Sequence, residues 1–216
     1  MKKRSLAYYP IFLKISGKRC VVVGGGGVAR RKVRALLEHG ASVEVISPDP
    51  SPELDKLAET GEIKVLRRRY QPGDLQGAFL AIAATDNRAL NRQVVKEAQD
   101  RAVLVSVADD PQDSDFILPS YVRRGALTIA VSTDGVSPAL ARKIRTRLEK
   151  ELGDEYASLV RLIGEVRAEV RRRGIKISGD DWQEALDLDL ILDLLKRGDE
   201  KKAKAVVLDR LMRMGR

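Results

Sequence analysis

Four consecutive glycines, Gly24 to Gly27, stand between the apolar run Cys20-Val21-Val22-Val23 and a stretch, Val28 to His39, that reads as a helix. A glycine-rich turn joining a strand to a helix is suited to an anion, because backbone N–H groups at the helix start point at it and the helix dipole favours negative charge. With Gly24 as the first and Gly26 as the second position of a G-x-G-x-x-G/A fingerprint, Ala29 takes the third, where a small residue permits close packing of helix on strand. Any side chain at Gly26 would hold a pyrophosphate away from those donors. The chemistry these residues point to is the binding of a dinucleotide through its diphosphate.

An acidic residue at the end of the second strand commonly takes the ribose hydroxyls in such sites. Here Ser47 stands at that point, followed by Pro48 and Asp49, while Glu44 falls in mid-strand and is the poorer candidate. No Arg or Lys lies within Ile46 to Glu53 to meet a 2′-phosphate, which favours NAD over NADP. Ala83-Ala84-Thr85-Asp86-Asn87 closes another strand at the carboxyl end of the sheet. Thr85 is placed to bond the cofactor, whereas Asp86 or Asn87 is placed to cap the next helix, and for Asp86 capping is the expectation. With one Cys, Cys20, and one His, His39, a dedicated metal site is not expected. Cys20 reads as a small buried hydrophobe, and His39 as a residue of a helix's last turn with no catalytic role.

The elements that must position these groups alternate strand and helix. Arg19 to Val23, Ser42 to Ile46, Ile63 to Arg67, Ala78 to Ala84 and Val103 to Val107 read as strands. Val28 to His39, Pro52 to Glu59 and Arg88 to Asp100 read as helices, with Gly40 ending the first and Ser51 capping the second. This is a Rossmann-type doubly wound parallel sheet of the α/β class. Beyond Asp109 the pattern changes. Phe116 to Pro119 and Leu127 to Val131 read as two more strands, and Ser137-Pro138 opens a helix to about Leu152. Glu155 to Arg173, Asp181 to Lys196 and Glu200 to Met214 read as helices only. The expected organisation is a dinucleotide-binding domain over 1–113, a small α+β dimerisation segment over 114–152 and a C-terminal helical domain over 153–216.

Composition narrows the class. A chain of 216 residues, 44% hydrophobic and 33% charged, without an apolar run long enough to cross a bilayer and without a secretory signal, reads as soluble, and the lone cysteine fits a cytoplasmic location. The net charge of +9 raises the question of nucleic acid, with Arg67-Arg68-Arg69 and Arg171-Arg172-Arg173 as the densest basic runs. Aromatics make up only 4% and none is interleaved with those runs to stack on bases, so a solvated basic surface, or one receiving a polyanionic small molecule, is the better reading.

Several stretches taken together resemble the precorrin-2 dehydrogenase family of sirohaem synthesis. They are Tyr9-Pro10-Ile11-Phe12-Leu13, Val22-Val23-Gly24-Gly25-Gly26 with Val28-Ala29 and Arg31-Lys32, Ala84-Thr85-Asp86-Asn87, Phe116-Ile117-Leu118-Pro119-Ser120, and Ala130-Val131-Ser132 through Gly135, Ser137 and Pro138. The resemblance implies removal of a hydride and protons from precorrin-2, giving NADH and sirohydrochlorin, by a homodimer whose second segment pairs the subunits and helps build the active site. It implies the stand-alone form, since no methyltransferase domain follows. It also places Gly27, Val28, Pro48 and Asp49 against the cofactor, and the functional aspartate at Asp109, seven residues before Phe116. From residue types alone Asp109-Asp110-Pro111 is a common turn, and Asp110 stays an alternative to Asp109. A carboxylate there takes a proton as hydride leaves, or pyrrole protons as a metal enters. Arg123 and Arg124 are candidate partners for the carboxylates of the tetrapyrrole. Three rivals remain open: a bifunctional enzyme that also inserts iron, an NAD-sensing domain without chemistry, and a basic nucleic-acid-binding module.

Overall fold

A computed structural model describes residues 8–108 and 110–214. The chain forms two compact units, Met1–Leu118 and Pro119–Arg216. Residues 114–118 of the expected middle segment belong to the first unit, and the rest of that segment lies with the C-terminal helices in the second.

In the first unit five parallel strands, β1 (Arg19–Val23), β2 (Ser42–Ile46), β3 (Ile63–Leu66), β4 (Leu80–Ala83) and β5 (Leu104–Val107), form one sheet in the order β3-β2-β1-β4-β5. Helices α1 (Gly27–Glu38), α2 (Pro52–Glu59) and α3 (Arg88–Asp100) connect them. In register, Val22 of β1 lies between Val45 of β2 and Ile82 of β4. Side chains alternate across β1: Cys20 and Val22 pack with Ala29, Val33 and Leu36 of α1 and Leu54 of α2, while Val21 and Val23 pack with Val94, Val95 and Ala98 of α3. A strand covered on both faces needs an unbroken apolar run, which is why Cys20 to Val23 does not alternate with polar residues. Each such valine, fully removed from water, contributes roughly 1.5–3 kcal/mol.

Charge inside this unit is paired. Glu44, 9% exposed in mid-strand, accepts from Arg19 at 3.0 Å and Lys64 at 3.2 Å, so it braces the sheet rather than facing a ligand at the strand end. Glu97 of α3 accepts from the Tyr70 hydroxyl (2.5 Å), the Gly73 and Leu75 amides (3.0 and 3.3 Å) and Arg101 (2.8 Å), tying the segment before β4 to the helix. Burial pushes the Glu97 carboxyl up, but the Tyr70 hydroxyl, the two amides and Arg101 outweigh it and hold the group below the ordinary carboxylate range.

The second unit opens with an antiparallel hairpin, β6 (Ser120–Arg124) and β7 (Leu127–Val131). The strand expected over Phe116 to Pro119 is not formed. Pro119 has no N–H for a ladder, pairing begins at Ser120, and Phe116 packs on the core of the first unit. Arg123 and Arg124 accordingly belong to the strand, and the turn is Gly125-Ala126. Four helices and a preceding one complete the chain: α4 (Pro138–Glu151), α5 (Glu155–Arg172), α6 (Gly179–Ala185), α7 (Leu188–Lys196) and α8 (Glu200–Met214). Gly125 has φ of 58° and a Cβ there would lie 3.1 Å from the Cβ of Ala157 in α5, so both the turn and its packing favour glycine.

As expected, Ser137 caps α4 by accepting from the Leu140 amide at 3.2 Å. The single helix expected over Asp181 to Lys196 is instead two. Leu186 leaves the helical region (φ −87°, ψ 76°) and Asp187 restarts the chain as a new cap, accepting from the Leu190 amide at 3.2 Å and from Arg210 of α8 at 3.1 Å. Leu162, Val166, Ile191, Leu194, Val207 and Leu211 form the core of the unit.

The Glu97 cluster carries a pH signature. A carboxylate whose folded pKa lies below its unfolded value of about 4.5 stabilises fully above that pH, and the contribution is lost as pH falls through the folded value. Glu97→Gln is expected to lower stability at neutral pH and to flatten the fall of wild-type stability on acidification, as read by urea unfolding between pH 7 and pH 3.

Candidate dinucleotide-binding site

Neighbours of β1 leave in opposite directions, β2 to one side and β4 to the other, so the crevice beyond their carboxyl ends is the switch point where such sheets take ligands. The glycine turn lies there. Gly24 donates its amide to the Ile46 carbonyl at 2.9 Å, has φ of 126°, and a Cβ on it would come within 2.3 Å of the Ala84 carbonyl oxygen. Gly25 is equally confined: a Cβ would sit 2.4 Å from both the Asp49 carbonyl oxygen and Ser47 Oγ, and its carbonyl accepts the Ser51 amide at 2.9 Å. The turn is thus wedged between the ends of β2 and β4.

Gly26 and Gly27 differ from these two. They are exposed, and a Cβ on either would meet nothing within 4 Å. Gly26 is the N-cap of α1 and brings no side-chain hydrogen bond, and the first turn holds no acid. The amide of Arg30 closes the first turn on the Gly26 carbonyl at 3.0 Å, which leaves the amides of Gly27, Val28 and Ala29 without a partner in the helix. Open space, unpaired donors and a positive dipole end fit a diphosphate.

The other expected residues gather around this turn to different degrees. Ala29 is fully buried and lets α1 approach the sheet. Ser47 is buried, its hydroxyl accepting the Asp49 amide at 3.2 Å beneath Gly25, while Pro48 and Asp49 are exposed at the end of β2. Thr85 turns its methyl towards Gly24; its hydroxyl donates to Asn91 Oδ1 at 2.7 Å and accepts the Asn87 amide at 3.2 Å. Asn87, not Asp86, caps α3, accepting from Leu90 at 3.0 Å; Asp86 is exposed. Ser51 occupies the cap position of α2 without a side-chain bond, so the cap expected of its hydroxyl is not made.

Asp109 lies outside the described residues. Beside it, Asp110 accepts the Gln112 amide at 3.2 Å and gives its own amide to the Val107 carbonyl at 3.3 Å, the bonds of a turn. Arg124 is committed within the second unit, donating to the carbonyls of Leu152 at 2.8 Å and Glu149 at 3.0 Å at the end of α4, so the strand placement turns a candidate substrate partner into a brace. Arg123 is exposed and donates to the Gly125 carbonyl at 3.1 Å. His39 lies 2.7 Å from the Ala35 carbonyl at the end of α1. Burial pushes the Cys20 thiol up to about 11, which leaves it unreactive at neutral pH.

Two features escaped the sequence reading. One is the confinement of Gly25, which depends on the path of the chain after β2. The other is an ion pair between Arg30 of α1 and Glu53 of α2. The basic runs, by contrast, are largely paired: Arg67 with Asp55 at 2.8 Å, Arg68 with Asp74 at 2.6 Å, and Arg172 and Arg173 with Glu169. Among the described residues no helix is long and apolar enough to cross a membrane, and no three His, Cys, Asp or Glu side chains are grouped to hold a metal ion.

A strand-glycine-helix turn at the switch point of a doubly wound sheet defines a dinucleotide-binding protein, and comparison agrees. Residues 11–120 match the family model described as "Putative NAD(P)-binding", and the chain belongs to that family. Residues 124–151 match a second model, the central part of sirohaem biosynthesis proteins. The chain is 41% identical over 208 residues to the sirohaem synthase of Chromobacterium violaceum, covering 95% of this chain and 44% of that protein. It is 39% identical to the sirohaem synthase of Nitrosococcus oceani, covering 94% of this chain and 43% of the relative. The chain therefore spans less than half the length of these relatives. Among solved structures it is similar to SirC, precorrin-2 dehydrogenase, with a TM-score of 0.71 and 27% identity over 95% of this chain and 100% of that one.

The two pairs of glycines separate by experiment. Gly25→Ala is expected to destabilise the fold, because its Cβ meets backbone at 2.4 Å. Gly26→Ala is expected to cost stability only about 0.5–1 kcal/mol, the loss of a good N-cap residue, while weakening dinucleotide binding severalfold. Thermal melts and calorimetric titration with NADH, run on both variants, distinguish the roles.

Proposed function

We propose that this chain oxidises precorrin-2 to sirohydrochlorin with NAD as the acceptor, as a step of sirohaem biosynthesis in the cytoplasm. The observation that carries the reading is the open, uncapped start of α1 at the sheet's switch point, in a chain similar over most of its length to SirC, precorrin-2 dehydrogenase. NAD, when bound, supplies the acceptor for the hydride. The protein supplies position and charge. The amides of Gly27, Val28 and Ala29 hold the diphosphate, Gly26 keeps the approach clear, and Ser47, Pro48, Asp49 and Thr85 border the nucleotide. Asp109 is the proton acceptor: as a C–H bond of the substrate gives up its electron pair with the hydrogen, a proton leaves to this carboxylate and passes to water.

The subunits of this enzyme pair into a homodimer in our reading. Supporting it, α4 exposes Leu140 (49%) and Ile144 (39%) one turn apart, preceded by Val136 at 86%. A doubly substituted Leu140→Glu, Ile144→Glu chain is expected to run as a monomer by light scattering where the wild type runs as a dimer; a wild-type monomer rejects the pairing.

The activity is tested by mixing the purified chain with precorrin-2 and NAD without metal and following NADH and sirohydrochlorin together. Equal appearance of both is expected, with Asp109→Ala slower by about 100-fold or more and Asp110→Ala close to wild type. NADH binding without turnover would exclude the dehydrogenase.

A further inference from the structure

The segment from Ile46 to Glu53 contains no cation, yet the fold delivers one to it. Arg30, in the first turns of α1, pairs with Glu53 in the first turn of α2. That turn of α2 is joined to the glycine turn through the Ser51 amide and the Gly25 carbonyl at 2.9 Å. A dinucleotide whose diphosphate lies on the start of α1 places its adenosine ribose by the end of β2, and an arginine nearby is the group that receives a 2′-phosphate. Arginine forks match phosphate geometry in two-bond pairs. Neither partner is shut away, with side-chain exposures of 36% for Arg30 and 45% for Glu53. Glu53 is held below the ordinary carboxylate range by its own backbone amide first and by the charges of Arg30 and Arg34, so it is ionised at neutral pH. The other nearby acid on α2, Asp55, is engaged with Arg67 at 2.8 Å.

We infer that Glu53 sets the preference for NAD over NADP by occupying Arg30, which is otherwise a receptor for a 2′-phosphate, and by repelling that phosphate with its own charge. The inference rests on the dinucleotide reading given above and adds to it the residue pair that selects between the two nucleotides. Selectivity at such a site is a difference of affinities, and a carboxylate paired to the arginine that would meet a 2′-phosphate acts on the phosphorylated nucleotide alone.

The test is calorimetric titration of NADH and NADPH into the wild-type chain, Glu53→Gln, Arg30→Ala and the doubly substituted chain, with melting temperatures recorded for each. Glu53→Gln is expected to tighten NADPH by about tenfold or more, the range of a hydrogen bond to a charged group, with NADH changed by less than about twofold. The gain is expected to be much smaller in the doubly substituted chain, where only the relief of repulsion remains, and to shrink in high salt. An unchanged NADPH-to-NADH ratio in folded Glu53→Gln overturns the inference, as does an equal gain with Arg30 removed. A wild-type chain that binds neither nucleotide rejects the dinucleotide reading as well, whereas NADH binding with an unchanged ratio rejects the role of Glu53 alone.

Discussion

The first unit depends on backbone passing backbone at the end of β1. Gly24 runs so close to the Ala84 carbonyl, and Gly25 so close to Ser47 and Asp49, that a single added carbon on either would have to displace main chain. This approach brings the ends of β2 and β4 together around the strand between them, and it aims the first amides of α1 into the crevice where the sheet changes direction. The buried run Cys20 to Val23 makes the approach affordable: two layers of helix-covered apolar packing hold β1 in place while its last residue enters a turn that only glycine accepts.

Around that frame, charges serve either the scaffold or the site, and the distinction follows from where each carboxylate finds its partners. Glu44 and Glu97 sit within the scaffold, each with several donors, and bind neighbouring segments to one another. Arg124 does the same in the second unit by satisfying the last carbonyls of α4, groups that a helix end otherwise leaves to water. Glu53 pairs with Arg30 and stays half exposed, which is the condition under which a charge can still act on a ligand. The Arg30–Glu53 pair therefore belongs with the glycine turn in function, although it adds little to stability as a surface pair.

Much of this was legible in the sequence because it is decided within a few residues. The unbroken valine run specifies a strand covered on both faces, the glycines specify a strand-to-helix turn, and Ser137 and Asn87 specify helix starts, since a cap acts on an amide two or three positions away. The alternation of strands and helices pointed to a doubly wound parallel sheet, while the order β3-β2-β1-β4-β5, with β3 and β4 joined without a helix, is given by the structure. The strand expected over Phe116–Pro119 is not formed, because Pro119 has no amide to give a ladder and pairing begins at Ser120. The break at Leu186 and Asp187 is set by the Asp187 cap on the Leu190 amide, with Arg210 of a later helix as a further partner. Arg124 and the Arg30–Glu53 pair lay beyond any window along the chain, because their partners are twenty or more residues away. Local backbone preference and periodicity thus determined most of the elements and the glycine turn from the sequence alone. Which charges meet was decided by tertiary structure, because ion pairing depends on distance in space and not on separation along the chain.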